Sequence, residues 1–396
     1  MLRRRLKTGV SALLPLLLLL VLLAVFLKRG PLGVFKASVP PIEEIFIQKV
    51  TFSPEYLVVE VMNDGPEPVT IAQALVNEVY WQFTMTPSQT LVPRERGRIE
   101  IAYPWVEGDV EKIMLISRNG VTFETEVDVA TVTPALSFRY FKSFVLLGVY
   151  VGVIPVLMGL LWFPFLATLR GKGYDFLLAL TVGLLVFLGF DALSESFGLL
   201  KDVPDSYNGV GIIVIGLLLA VLSLSAVSYK TQHLVREKGE HVQALVWGYL
   251  IALGIGLHNL GEGLAIGSAY AIGEIALGGT LVIGFMIHNV TEGVVIVAPL
   301  TRAYKDIRLF LVHLVMMGLL AGAPTIFGTL IGGFSYSAAI AVLFLSIGAG
   351  AIFDVAFDIL HQMAEKQWLS IFTVTNALGF LAGLLIMYVT GFWVVG

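Results

Sequence analysis

Two hydrophobic textures divide the chain. Between about residues 40 and 132 apolar and polar positions alternate, and turn signals recur every 8 to 12 residues. EYLVVEVMN, VTIAQALV, RGRIEIAYPW, EKIMLISRNG and VTFETEVDV each read as a half-buried strand, with NDGPEP as a turn between the first two. Strands this short and regular predict a small β-sandwich of two sheets, broadly immunoglobulin-like. Elsewhere apolarity is continuous, in runs near the ~20 residues that cross a hydrocarbon core. Nine such runs stand at about 11–27, 143–168, 176–199, 210–228, 243–269, 275–299, 309–332, 337–360 and 369–395.

Composition turns that pattern into a class. A hydrophobic fraction of 57% and a mean hydropathy of +0.86 are too high for a water-soluble chain of 396 residues. The expected fold is therefore an all-α polytopic membrane bundle, with an N-terminal anchor helix and an extracytoplasmic β-sandwich added to it. The segments are an anchor or signal over 1–35, the β-domain over 36–138 and the bundle over 139–396. In the β-domain, Trp81, Tyr103 and Trp105 read as core or membrane-edge aromatics.

Charge sets orientation. Lys and Arg are retained on the cytoplasmic side of short loops, and Arg3, Arg4, Arg5 and Lys7 open the chain, so the first span runs outward. The alternation that follows puts Arg170 and Lys172, then Lys230, Arg236 and Lys238, then Arg302, Lys305 and Arg308, then Lys366 inside, and little but Lys201 outside. The β-domain and the C-terminus are then external, and a plasma-membrane location is expected. Lys28 and Arg29 directly follow the first apolar run with no small-x-small cleavage site, which favours an uncleaved anchor over a secretory signal. A net charge of −4, without a basic block beyond the first residues, gives no footprint for nucleic acid.

Against this apolar background HNLGEG at 258–263 and HNVTEG at 288–293 stand out. Residues four apart share a helix face, so His258 lies above Glu262 and His288 above Glu292. Asn259 and Asn289 precede those glutamates by three, so each glutamate neighbours both an imidazole and an amide of its own helix. An ionised carboxylate in mid-membrane is costly without a partner, water or a cation. A lone copy would read as an interhelical hydrogen-bonding residue; two copies in adjacent spans point to a cage for a divalent metal. With no cysteine in the chain, the ligands must be nitrogen and oxygen. That mixture suits zinc, iron or manganese better than calcium or magnesium.

These two helices resemble the fourth and fifth core helices of the ZIP family of zinc and iron transporters, whose signature is His-Asn-x-x-Glu/Asp-Gly followed by a His- or Gln-led counterpart. The resemblance covers about 139–396 and leaves the β-domain outside. It implies an eight-helix core with both ends outside, inverted three-helix repeats around the motif helices, and movement of divalent metal toward the cytosol by alternating access. By position, it makes His258, Glu262, His288 and Glu292 the primary site, and Asn259 and Asn289 part of a neighbouring one. Two departures stand out. Many relatives carry a glutamate before a proline in the sixth core helix, where this chain has Ala323 before Pro324, and the YKTQHLVREKGEH loop is short where relatives often have a long, His-rich one.

Asp191 and Glu195 form an expected outer entrance, and Asp354, Asp358 and His361 an inner exit. The expected function is a divalent transition-metal transporter, with zinc as cargo and iron or manganese as alternatives; no cofactor and no enzymatic activity are expected. Rival readings are an intramembrane zinc metallohydrolase, for which His-x-x-x-Glu is the wrong arrangement, and a non-transporting metal receptor. The partners expected are the metal ion, the lipid bilayer and, as an open alternative, a second copy of the chain.

Overall fold

The computed structural model describes residues 14, 17–25, 42–235, 237–273, 275–304, 308, 311–335, 337–364 and 368–395. The chain forms two compact units, Met1–Ile42 and Glu43–Gly396. In the first, Leu14 and residues 17–25 are helical. Arg3, Arg4, Arg5, Lys7, Lys28 and Arg29 lie outside the described residues, as do Arg236, Lys305, Lys366 and the side chain of Arg302.

The second unit opens with nine strands: β1 (Ile45–Ser53), β2 (Tyr56–Asn63), β3 (Val69–Val76), β4 (Val79–Trp81), β5 (Phe83–Thr86), β6 (Thr90–Leu91), β7 (Arg96–Ile101), β8 (Glu111–Ser117) and β9 (Thr122–Val127). They make two antiparallel sheets, ordered β1-β2-β7-β5 and β4-β3-β8-β9, with β6 paired to β3. Strand β7 shows why: Gly97, Ile99 and Ile101 are buried while Arg96, Arg98 and Glu100 are exposed, the period of two that a half-covered strand requires. Val59, Val61, Ile99 and Ile101 of one sheet share a single core with Ile71, Val76, Ile113 and Leu115 of the other. Trp105 packs edge-on against Phe52 at 5.1 Å and donates its indole N–H to the Ser53 carbonyl, and Trp81 meets Tyr103 in the same way. The aromatics are thus part of this apolar core. Strands β4 to β6 run only two to four residues, too short for alternation to mark them in the sequence.

Helices follow. The first span is α1 (Phe138–Gly148), a π-helical turn Val149–Val153, α2 (Ile154–Leu160) and the short α3 (Phe163–Leu166). Then come α4 (Lys172–Gly198), α5 (Gly209–Val235), α6 (Glu240–Ala271), α7 (Ile275–Val297), α8 (Leu311–Gly322) with α9 (Pro324–Phe334), α10 (Ala338–Ala364) and α11 (Val374–Val395). Among the described residues seven helical stretches are long and apolar enough to cross a membrane, and α11 adds a shorter one over Val374–Thr390.

Close backbone contacts sort the helices into two groups. A Cβ on Gly159 of α2 would lie 2.8 Å from Gly293 Cα of α7, and one on Gly263 of α6 would lie 3.0 Å from Gly328 Cα of α9. Likewise, a Cβ on Gly183 of α4 would fall 3.2 Å from Gly383 Cα of α11, and one on Gly350 of α10 only 3.0 Å from Ala220 Cβ of α5. Small residues allow this approach, which in lipid replaces the missing hydrophobic drive between helices. One group is therefore α1, α2, α6, α7, α8 and α9, and the other α4, α5, α10 and α11. They meet chiefly where α6 crosses α10, at Gly261 beside Leu345 and at Gly348 beside His258.

Candidate metal centre

Both repeated motifs fall within long helices, α6 and α7, and the packing of these helices turns the motifs toward each other. His258, Asn259, Glu262, His288, Asn289 and Glu292 are all buried. His258, Glu262 and His288 offer ligand atoms that lie within 4.8 Å of one another. Glu262 Oε1 is shared: it is 2.9 Å from His258 Nε2 of its own helix and in closer contact with His288 Nε2 of the facing one. The His258 and His288 rings lie 6.3 Å apart between centroids. Glu292 falls outside this triad.

The amide nitrogens turn to the facing helix. Asn259 Nδ2 donates across the interface to Glu292 Oε2 at 3.0 Å, and Asn289 Nδ2 reaches toward Glu262 Oε2 at 3.5 Å. The two motifs thus exchange partners. The asparagine side chain is short, and the close approach of the helices brings the facing carboxylate within its reach.

A second set of bonds fixes those amides. Asn289 Nδ2 donates to the Val151 carbonyl at 3.0 Å, and Asn259 Nδ2 to the Ala321 carbonyl at 3.1 Å. Both acceptors sit at defects in their helices. Pro155 has no N–H to offer the carbonyl four residues earlier, and that carbonyl is Val151; the π-helical turn lies at the same place. Ala321 is the penultimate residue of α8, which ends at Gly322 just before Pro324. A carbonyl can only accept, so the group facing it is the amide nitrogen, and each Oδ1 is turned away. Asn259 Oδ1, Asn289 Oδ1, Glu292 Oε1 and His258 Nδ1 have no hydrogen-bond partner among the described residues, and His258 Nε2 has its 2.9 Å contact with Glu262 Oε1.

Three buried acceptor oxygens without donors, beside an unpartnered imidazole nitrogen, would be a severe defect in an ordinary core, where nearly all buried polar groups are paired. Around a cation they are ligands. The donor set is imidazole nitrogen with carboxylate and amide oxygen, the mixture that suits a divalent transition metal. Gly348 of α10 completes the wall. A Cβ there would stand 2.6 Å from His258 Cα, so this position has no room for a side chain while the imidazole keeps its place.

The flanking acids separate. Glu195 lines a cavity of about 250 Å³ with Lys201, Asp202, Ala265, Ser268 and Ala341. Ala265 and Ala269 follow Glu262 by three and seven residues on α6, so this cavity runs along the helix toward the triad. Asp191 is exposed on α4. At the other end, Asp354 is buried and accepts from Ser225 Oγ, while Asp358 accepts from Ser228 Oγ at 2.7 Å. His361 is exposed and stacks against Phe357. Sequence reasoning missed Val151, Ala321 and Gly348 because two act through backbone carbonyls and one through a missing side chain. Pro155 carried a signal for the first, since a proline in an apolar helix always frees the carbonyl four residues back. No family model matches the chain.

Proposed function

We propose that this protein is a ZIP-like transporter of divalent transition metal, zinc foremost, with an eight-helix core and an added external immunoglobulin-like domain. The observation that carries this reading is the set of unpaired buried acceptors on α6 and α7, at mid-span in a membrane bundle. A cation there satisfies what no donor among the described residues satisfies.

In this reading the ion arrives through the cavity beside Glu195, loses water stepwise to the carboxylates, and is held by His258, Glu262 and His288. Glu292 and the two amide oxygens are the adjoining ligands. Release follows along α10. Asp354 lies six residues beyond Gly348, about 9 Å further along the helix, and hands the ion on toward Asp358. Access alternates when the group containing α6 and α7 shifts against the group containing α4 and α10, since outside the α6–α10 crossing the two groups touch little. The Lys and Arg asymmetry of the loops supports an external β-domain, and import toward the cytosol across the plasma membrane is what the ZIP resemblance implies for that orientation.

Purified protein in sealed proteoliposomes should take up zinc saturably, with manganese, iron, cobalt or cadmium competing and calcium and magnesium not competing. Saturable binding without uptake would overturn transport and leave a receptor.

A further inference from the structure

The β-domain is fastened to one helix group and rests on the other. Its fastening is tight. Phe52 N donates to Thr133 Oγ1 at 3.0 Å and Thr133 N donates to the Phe52 carbonyl at 3.1 Å, so the sheets hold the chain as far as Thr133. Ser137 already caps α1 by accepting from Tyr140 N. The intervening Pro134, Ala135 and Leu136 let those two points separate by at most roughly 14 Å when fully extended. Helix α1 is in turn locked to α9, where Thr329 Oγ1 donates to the Phe144 carbonyl at 2.9 Å, and α9 is packed along α6. The turn after α6 also carries the domain: Gly273, at φ +84°, sits so close to the Val129 carbonyl that a Cβ would be 3.0 Å away.

Its rest on the other group is of a different kind. Ser206 N donates to the Asp64 carboxylate at 3.3 Å, Arg96 Nη2 donates to Tyr207 Oη at 3.1 Å, and Tyr207 Oη reaches Met62 Sδ at 3.8 Å. Ser206 and Tyr207 belong to the loop between α4 and α5. Beside these contacts lies a polar cavity of about 110 Å³, lined by Lys49, Glu60, Arg96, Asp202 and Ala338. Asp202 and Ala338 also line the cavity that leads past Glu195. The Ser206 and Arg96 bonds are solvent-exposed, and each exchanges for a bond to water at small net cost. A polar interface of this kind parts readily, whereas a dry apolar one would not.

We propose that the β-domain is a latch across the mouth of the metal path, riding with α1, α6 and α7 and releasing the α4–α5 loop whenever the two helix groups shift. This rests on the alternating-access reading above. The short linker cannot absorb the movement, so the weak polar contact must yield.

The absence of cysteine makes the test direct. In full-length protein in proteoliposomes, Asp64→Cys with Ser206→Cys is joined by oxidation or by a short bis-methanethiosulfonate linker, and zinc uptake is followed. The joined form should lose at least tenfold in rate and recover on reduction, with identically treated wild type unaffected. Full uptake by the joined form overturns the latch while leaving transport intact. Independently of uptake, spin labels on Glu67→Cys and Asp205→Cys should give two distance populations whose ratio shifts with zinc. A single distance, unchanged by zinc, overturns the latch even if wild-type vesicles import nothing.

Discussion

At the scale of single residues, the centre combines ligands with the groups that aim them. Replacing His258 or His288 with Ala removes an imidazole from a site with few ligands. Zinc affinity measured by calorimetry should fall by more than about 100-fold, beyond the roughly 10–100-fold that loss of a supporting outer-shell bond costs. Undiminished binding by both variants would remove these residues from the site. Gly348→Ala tests a wall instead of a ligand. Its methyl would meet His258 Cα at 2.6 Å, and such overpacking costs about 1–3 kcal/mol. Since α6 and α10 belong to different groups, part of that strain is relieved by parting them. Gly348→Ala should therefore weaken zinc binding by about tenfold or more with only modest loss of thermal stability; unchanged affinity would show that α10 does not press on the imidazole.

At the scale of elements, helix defects do what side-chain patterns cannot advertise. The spacing of HNLGEG and HNVTEG made the shared face of His258 and Glu262, and of His288 and Glu292, legible, because four residues make about one helical turn. The crossed pairing of Asn259 with Glu292 and of Asn289 with Glu262 was not legible, since it depends on how far the glycines let two helices close. Strands such as β7 declared themselves through alternation, whereas β4, β5 and β6 were too short to do so. Pro155 lies between these cases: its freed carbonyl follows from the sequence, but that Asn289 is its donor follows only from packing. Pro155→Ala restores an N–H that competes for the Val151 carbonyl. The Asn289 amide then loses its fixed orientation, and zinc affinity should drop by about 10-fold, within the range for outer-shell partners. Asn289→Leu should cost at least as much, and equal affinity in both variants and wild type would show that the amide has no part in holding the ion.

At the scale of the whole molecule, two independent features bear on sidedness. The first is the loop charge: Arg170, Lys172, Lys230, Lys238 and Arg308 all follow or precede helices at the end away from the β-domain. The second is packing, which was not readable in the sequence. The β-domain bonds to Ser206 and Tyr207, lies against Gly273 and shares a cavity lining with Ala338, so the α4–α5 loop, the α6–α7 turn and the start of α10 share one end of the bundle with it. These are the connections that the charge rule assigns to the outside. The grouping of loops by packing matches their grouping by charge, although packing alone does not say which end faces the cytosol. If the basic end is cytoplasmic, an epitope tag near Glu67 should be reached by antibody on intact cells, and one near Lys238 only after permeabilisation. The reverse pattern would turn the protein over in the membrane. The cavity beside Glu195 would then open to the cytosol, and the direction of metal movement would change from import to export.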